Sequence, residues 1–305
     1  MTPSASQVTR VPRVGVMLPA AAGPNPALDA FREGLRGLGH VEGQDIAFEL
    51  RFTNQMARLP DLASELVALG VDVIAVVGAV TARAAMRATA DIPIVFTVAV
   101  DVVEDGLVTE MARPGGNVTG VTSFDPEQPR SQMRLLKEAL PGLERVAILG
   151  DTAIMGALMA ANEAAARAEG LHPQALLLQG PAPDIDGAFA AIREAGADAL
   201  LVLEVPVTNA HGGRIAEMAQ AMRLPSMFAV DRAVHAPMLA YGTSIIEAAR
   251  RMAGMVDRVL KGARPGNLSV EAVTRHGLVV NLRTAREIGV TLPPEVVGRA
   301  DRIVE

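Results

Sequence analysis

The sequence predicts an α/β chain of two similar lobes, each a parallel β-sheet flanked by helices. Three observations carry this. Short β-branched runs alternate with longer stretches of helical period, which is the signature of βαβ units. The alternation runs through the chain twice, in two series of similar length. The strand runs are continuously apolar, as strands buried on both faces are.

In the first series, Arg13–Leu18 (RVGVML), 45–51 (DIAFELR), 71–77 (VDVIAVV), 93–98 (PIVFTV) and 117–121 (NVTGV) read as strands. Residues 26–38 place Leu28, Phe31, Leu35 and Leu38 on one helical face, and 58–69 and 81–89 follow as helices. In the second series the strands are 145–150, 174–178, 198–204, 225–228 and 238–241, with helices at 155–169, Ile185–Ala195 and 212–222 between them. The order then changes. A long amphipathic helix over 243–261 carries Ile245, Met252, Val256 and Val259 at helical spacing and stops at Gly262. A Gly- and Pro-rich stretch (262–268), a strand at 277–281 and a terminal helical region complete the chain.

Composition narrows the function. With half of its 305 residues hydrophobic, the chain can bury two ordinary cores. A formal charge of −6 with scattered basic residues argues against nucleic acid, because phosphate binding needs a concentrated basic face. The absence of cysteine removes disulfide and thiolate chemistry and only weakly favours export. Residues 1–10 (MTPSASQVTR) are polar, without the apolar core of a signal peptide, and no run is long enough to suggest a membrane span.

No catalytic constellation stands out. The histidines His40, His172, His211, His235 and His276 are scattered and read as surface or loop residues, and no metal site is expected. There is no G-x-S-x-G elbow, P-loop or H-E-x-x-H. The glycines of 113–120 (RPGGNVTG) precede a strand, whereas a dinucleotide fingerprint follows one. The expectation is a binding protein without cofactor and without catalysis.

In an open α/β sheet, ligands bind beyond the carboxyl ends of the strands, where the next helix offers free N–H groups. The loops there are 19–25, 78–81, 99–101, 122–124, 151–153, 204–206 and 228–232. The candidate ligand residues are accordingly Ala20, Ala21, Gly78, Ala79, Val80, Thr81, Asp101, Thr122, Ser123, Phe124, Asp151, Thr152, Glu204, Phe228 and Asp231. Small residues and hydroxyls suit backbone recognition of a carboxylate, with Thr81 in a first helical turn beside Gly78. Asp101, Asp151, Glu204 and Asp231, with Arg232 alongside, suit an ammonium or polyhydroxylated ligand, although Asp at a strand end also caps helices. Phe124, Phe228 and Tyr241 are placed to stack on a ligand ring, whereas Phe31 and Phe189 belong to the core.

Several segments, in order and nearly end to end, resemble a known family. They are 31–45 (FREGLRGLGHVEGQD), 58–74 (RLPDLASELVALGVDVI), 92–97 (IPIVFT), 113–121 (RPGGNVTGV), 279–294 (VVNLRTAREIGVTLPP) and 299–305 (RADRIVE). The chain resembles the ABC-transporter substrate-binding proteins of the tryptophan-binding-like group, which have the type I periplasmic-binding-protein fold. The resemblance implies a two-lobed receptor that takes a small organic solute, an amino acid or related carboxylate or aromatic compound, in an interlobe cleft outside the cytoplasm. It delivers that solute to a permease with its ATPase, without inserting in the membrane itself. It also implies three crossings between lobes, near 122–128, 241–243 and 267–273. One lobe then holds 1–121 with 243–266, and the other 122–242 with 267–305. Members normally begin with an export signal and often have Asp-Pro where this chain has Asp101-Val102. The stretch 230–234 is poor in aromatics, which leaves a smaller solute open beside an aromatic one. A ligand-sensing domain of a signalling system is the alternative, since one fold serves both roles.

Overall fold

The computed structural model describes residues 10–20, 22–152, 156–180, 182–230 and 235–305. The chain divides into two compact units, Met1–Phe124 with Ile245–Thr274, and Asp125–Ser244 with Arg275–Glu305. It therefore passes from unit to unit three times.

Unit 1 is built on a six-stranded, all-parallel sheet. Its strands are β1 (Arg13–Leu18), β2 (Ala47–Phe52), β3 (Val73–Val77), β4 (Ile94–Val98), β5 (Val118–Thr122) and β11 (Glu271–Ala272), in the order β11-β5-β4-β3-β1-β2. Alternate residues supply two cores. Val14, Val16, Leu18, Val73, Ala75 and Val95 pack under α1 (Pro26–Gly37) and α8 (Ile245–Leu260). Met17, Ile74, Val76, Ile94 and Phe96 pack under α2 (Leu59–Ala68) and α3 (Ala79–Ala88). Residues 267–274, which the sequence assigns to the other lobe, lie in unit 1 because β11 pairs with the edge of β5.

Helix α8 reaches unit 1 from the far part of the sequence, and a buried charge helps fix it there. Asp257 of α8 is 7% exposed and lies 2.8 Å from His40 Nε2 just beyond α1, with Lys261 Nζ also 2.8 Å away. Burial alone would raise the Asp257 pKa, but Lys261 and His40 outweigh it and hold the carboxyl below its usual range. His40 is thus not the surface histidine that the sequence suggests.

Unit 2 has a seven-stranded sheet of β6 (Arg145–Asp151), β7 (His172–Leu178), β8 (Ala199–Val202), β9 (Ser226–Phe228), β10 (Leu239–Thr243), β12 (His276–Asn281) and β13 (Arg302–Val304). Their order is β13-β12-β10-β9-β8-β6-β7, and only the β10–β12 pairing is antiparallel. The flanking helices are α4 (Gln128–Ala139), α5 (Gly156–Ala168), α6 (Ile185–Ala195), α7 (Pro206–Ala221), α9 (Leu282–Ile288) and α10 (Pro294–Val297). One continuous core runs through both faces.

Three helices differ from the sequence expectation. Helix α4 was not foreseen, because its exposed face is polar and only Met133, Leu135, Leu136, Ala139 and Gln132 line the buried side with Pro129. Helix α3 begins at Ala79 and α7 at Pro206, each earlier than expected. A proline at the first helical position reads as a turn, yet its missing N–H is no loss there.

Candidate functional site

Both sheets share one strand order, second-first-third-fourth-fifth, and in both the order reverses beside the first strand. Such a switch point opens a crevice at the carboxyl ends of the strands on either side of it. In unit 1 these are β1 and β3, and in unit 2 they are β6 and β8.

At the unit 1 switch point, Ala20 is half-buried in the turn after β1. Gly78 follows β3 with φ +89°, a conformation that favours glycine, and serves as the N-cap of α3. It has no side chain to cap the helix, so the first-turn N–H groups keep their partial positive charge. Ala79 and Val80, which the sequence left in a loop, are first-turn residues of α3, and Thr81 stands in that first turn as the sequence placed it. Val80 is exposed. Thr81 is 1% exposed, and its Oγ1 has no hydrogen-bond partner. A buried hydroxyl without a partner is costly, which makes this position informative.

The neighbouring strand ends are locally committed. Asp101 accepts from the N–H groups of Val103 (2.9 Å) and Glu104 (3.0 Å), so its carboxylate caps the turn that follows β4. This is the capping role that the sequence also left open for an Asp at a strand end. Thr122 Oγ1 donates to Val100 O and accepts from Phe124 N–H, and Ser123 Oγ donates to Val98 O. These two hydroxyls knit β5 to β4. Phe124, just beyond β5, is 37% exposed.

In unit 2, Asp151 closes β6 half-buried and Thr152 follows it exposed. Strand β8 ends at Val202, so Glu204 lies in the loop beyond it, half-buried. Thr208 holds that loop by accepting from Val205 N–H and donating to Val205 O. Here a cavity of about 170 Å³ is lined by Glu204, Thr208, Asn209, Phe228, Val230 and His235 among others. The Phe228 and His235 rings lie 6.5 Å apart at 49°. His235 has φ +68°, uncommon for a residue with a side chain, and its imidazole fills the space that a Cβ on Gly212 would occupy. His235 and Asn209 were missed in the sequence. The only signal was a Gly-Gly pair inside a helix, meaningful once its neighbour is known. Ala21 and Asp231, with Arg232, lie outside the described residues.

Tyr241 is not at this edge as a free ring. It stacks on His276 at 5.2 Å and 8°. His276 in turn is mostly buried, unlike the surface residue expected. Among the described residues, no group of three or more histidine, aspartate or glutamate side chains is gathered to hold a metal, and no helix is long and apolar enough to cross a membrane.

Over residues 22–304 the sequence matches the family model described as ABC transporter substrate binding protein. The chain belongs to that family. A 133-residue stretch is 31% identical to a tyrosine-binding protein of Clostridioides difficile (strain R20291), covering 42% of this chain and 38% of that protein. A conserved domain protein from Vibrio cholerae superposes with a TM-score of 0.87 at 27% identity, covering 96% of this chain and all of that one. The ABC domain in complex with L-Trp from Streptococcus pneumonia gives 0.84 at 20% identity, over 97% and 100% of the two chains. This last likeness speaks for the two-lobed fold alone. Membership agrees with the resemblance read from the sequence and with the matching strand order of the two units.

Proposed function

We propose that this family member is the extracytoplasmic solute receptor of an ABC uptake system, that it binds an amino acid, and that it catalyses no reaction. The ligand carboxylate is received at residues 78–81, by first-turn N–H groups of α3 and the Thr81 hydroxyl. In unit 2, the Glu204–Asn209–His235 pocket offers polar groups suited to an ammonium. The carrying observation is the buried, partnerless Thr81 hydroxyl beside an uncapped helix start at a switch point. Family membership supports the transport role and, with it, permease and ATPase partners. The tyrosine-binding relative supports an amino acid as the solute class. Phe124 and Phe228 supply apolar surface for a ring-bearing side chain.

Calorimetry with the twenty amino acids, and with tyramine and tyrosine amide beside L-tyrosine, tests this reading. One or more amino acids are expected to bind, and analogues without the carboxylate to bind at least tenfold more weakly. Bound ligand should be recovered chemically unchanged. If no amino acid binds, or the decarboxylated analogue binds as well as the acid, the assignment fails.

A further inference from the structure

The three passages of the chain between units fall after Phe124, after Ser244 and after Thr274. On the unit 2 side, one residue near each passage joins a cluster centred on His276. Asp125 follows the first passage directly, Tyr241 stands just before the second, and His276 stands just after the third. His276 Nε2 lies 3.1 Å from Asp125 Oδ2, with side chains 14% and 20% exposed. The imidazole stacks flat on the Tyr241 ring, and in the β10–β12 pairing His276 stands opposite Thr243.

The cluster is tied into the fold at each corner. Gln132 of α4 donates to the Tyr241 backbone carbonyl at 2.9 Å. The other Asp125 oxygen accepts from Glu127 N–H, and its carbonyl accepts from Gln128 N–H, so Asp125 also shapes the start of α4. The His276–Asp125 contact is at ion-pair distance but is not aligned as a hydrogen bond, which leaves Nε2 buried without a hydrogen-bond partner. Several charged groups on the packed elements are paired elsewhere, among them Arg130 and Arg134 of α4 with Glu169. Arg275 pairs with Asp301 at 3.1 Å, and Arg299 beyond α10 pairs with Glu138 of α4.

We infer that Asp125, Tyr241 and His276 form a proton-operated latch that holds the unit 2 ends of all three passages while His276 is neutral and loosens them when it is charged. Two effects compete at His276. Asp125 favours the imidazolium, but burial disfavours it more strongly and leaves the His276 pKa below the usual histidine value. A charge forced into this site has only an ill-aligned carboxylate to answer it, so the ring gains by leaving the stack for water. The passages join the two ligand-binding edges, so the latch makes the grip on solute sensitive to mildly acidic pH.

Tyr241 is the single tyrosine and the chain has no tryptophan, so tyrosine emission of the ligand-free protein reports on this cluster. Titrating the full chain from about pH 8 to pH 5, the range in which histidine switches, should give one step below the ordinary histidine value. His276→Gln should abolish the step, and Asp125→Asn, which keeps the capping oxygen, should move it to lower pH. Amide exchange at residues 241–243 and 276–278 should accelerate several-fold with the same midpoint. A flat wild-type titration, a step that survives in His276→Gln, or a step with unchanged amide exchange would overturn the latch. If His276→Gln lacks the wild-type circular dichroism, the direction of the Asp125→Asn shift decides. Because no ligand enters the experiment, its failure is separate from failure of the amino-acid reading.

Discussion

The two units share a strand order but not the chemistry of their ligand edges. At the unit 1 edge, among the described residues, Asp101 caps a turn, Thr122 and Ser123 bind β4 to β5, and the buried Thr81 hydroxyl has no hydrogen-bond partner. In unit 2 the edge is charged and hollow, with Glu204, Asn209 and His235 around a cavity of about 170 Å³. A duplicated scaffold thus offers one hydrogen-bonded, dipolar edge and one charged, hollow edge. The proposed amino-acid reading draws on both edges, which is why the comparison bears on function.

The largest expected effect tests whether the scaffolds are also alike in packing. The fifth strand of each unit carries a glycine pressed against a neighbouring backbone: a Cβ on Gly120 would lie 2.2 Å from Phe96 O, and one on Gly242 2.8 Å from Ala229 O. Gly120→Ala should cost roughly 3 kcal/mol and Gly242→Ala about 1 kcal/mol, the two ends of the usual overpacking range. Denaturant melts of both variants read the difference. Equal costs would mean that β4 yields as easily as the segment after β9.

Next in size is Thr81→Val, which keeps the shape and removes the hydroxyl. Affinity for the amino acid should fall by about 1.5–3 kcal/mol, the worth of a hydrogen bond to a charged group. The ligand-free melting temperature should hold or rise, because no partner is lost. A lower melting temperature with intact affinity would make Thr81 a core residue and erase the contrast between edges. Asp101→Ala is the mirror case. It should cost about 1 kcal/mol of stability as a lost cap and leave calorimetric affinity unchanged.

The smallest effect separates the units by pH. His276 has a lowered pKa, so the folded state binds its proton less readily than the unfolded chain does. Stability of unit 2 should therefore decline as pH falls from about 6.5. Asp257 has a lowered pKa as well, but as a carboxylate it favours the folded state above the unfolded value and loses that contribution as pH falls from about 4. Asp301, held low by Leu278 N–H and Arg275, adds to the acid window in unit 2. Between these windows only unit 2 should soften. Hydrogen exchange resolved by segment measures it, and uniform softening would refute the separation.

Much of the scaffold was legible because the strands are written in runs such as RVGVML and IVFTV, whose continuous apolar character has few other uses. The site was legible only as a set of places. Sequence locates Gly78 and Thr81 at a strand end, but whether a hydroxyl there is partnered depends on atoms far along the chain. The same holds for Asp101, since capping and ligand binding call for the same residue at the same spot. His40 and Asp257 meet across 217 positions, and His276 meets Asp125 and Tyr241 only once the passages are drawn together. Helix α4 was illegible for another reason: its polar face dominates a short window.

The triple passage also sets an order of assembly. The first unit lacks α8 and β11 until residues 245–274 have been made, after all of 125–244. At roughly 5–20 residues per second on the ribosome, its five early strands wait on the order of ten seconds or more with the α1 side of the sheet uncovered. The apolar residues Val73, Val95 and Val121, on the strands that α8 packs against, are the ones that wait for it. A nascent chain built this way gains from a holding chaperone during that interval, and a fragment ending at residue 124 would inherit the bare face permanently.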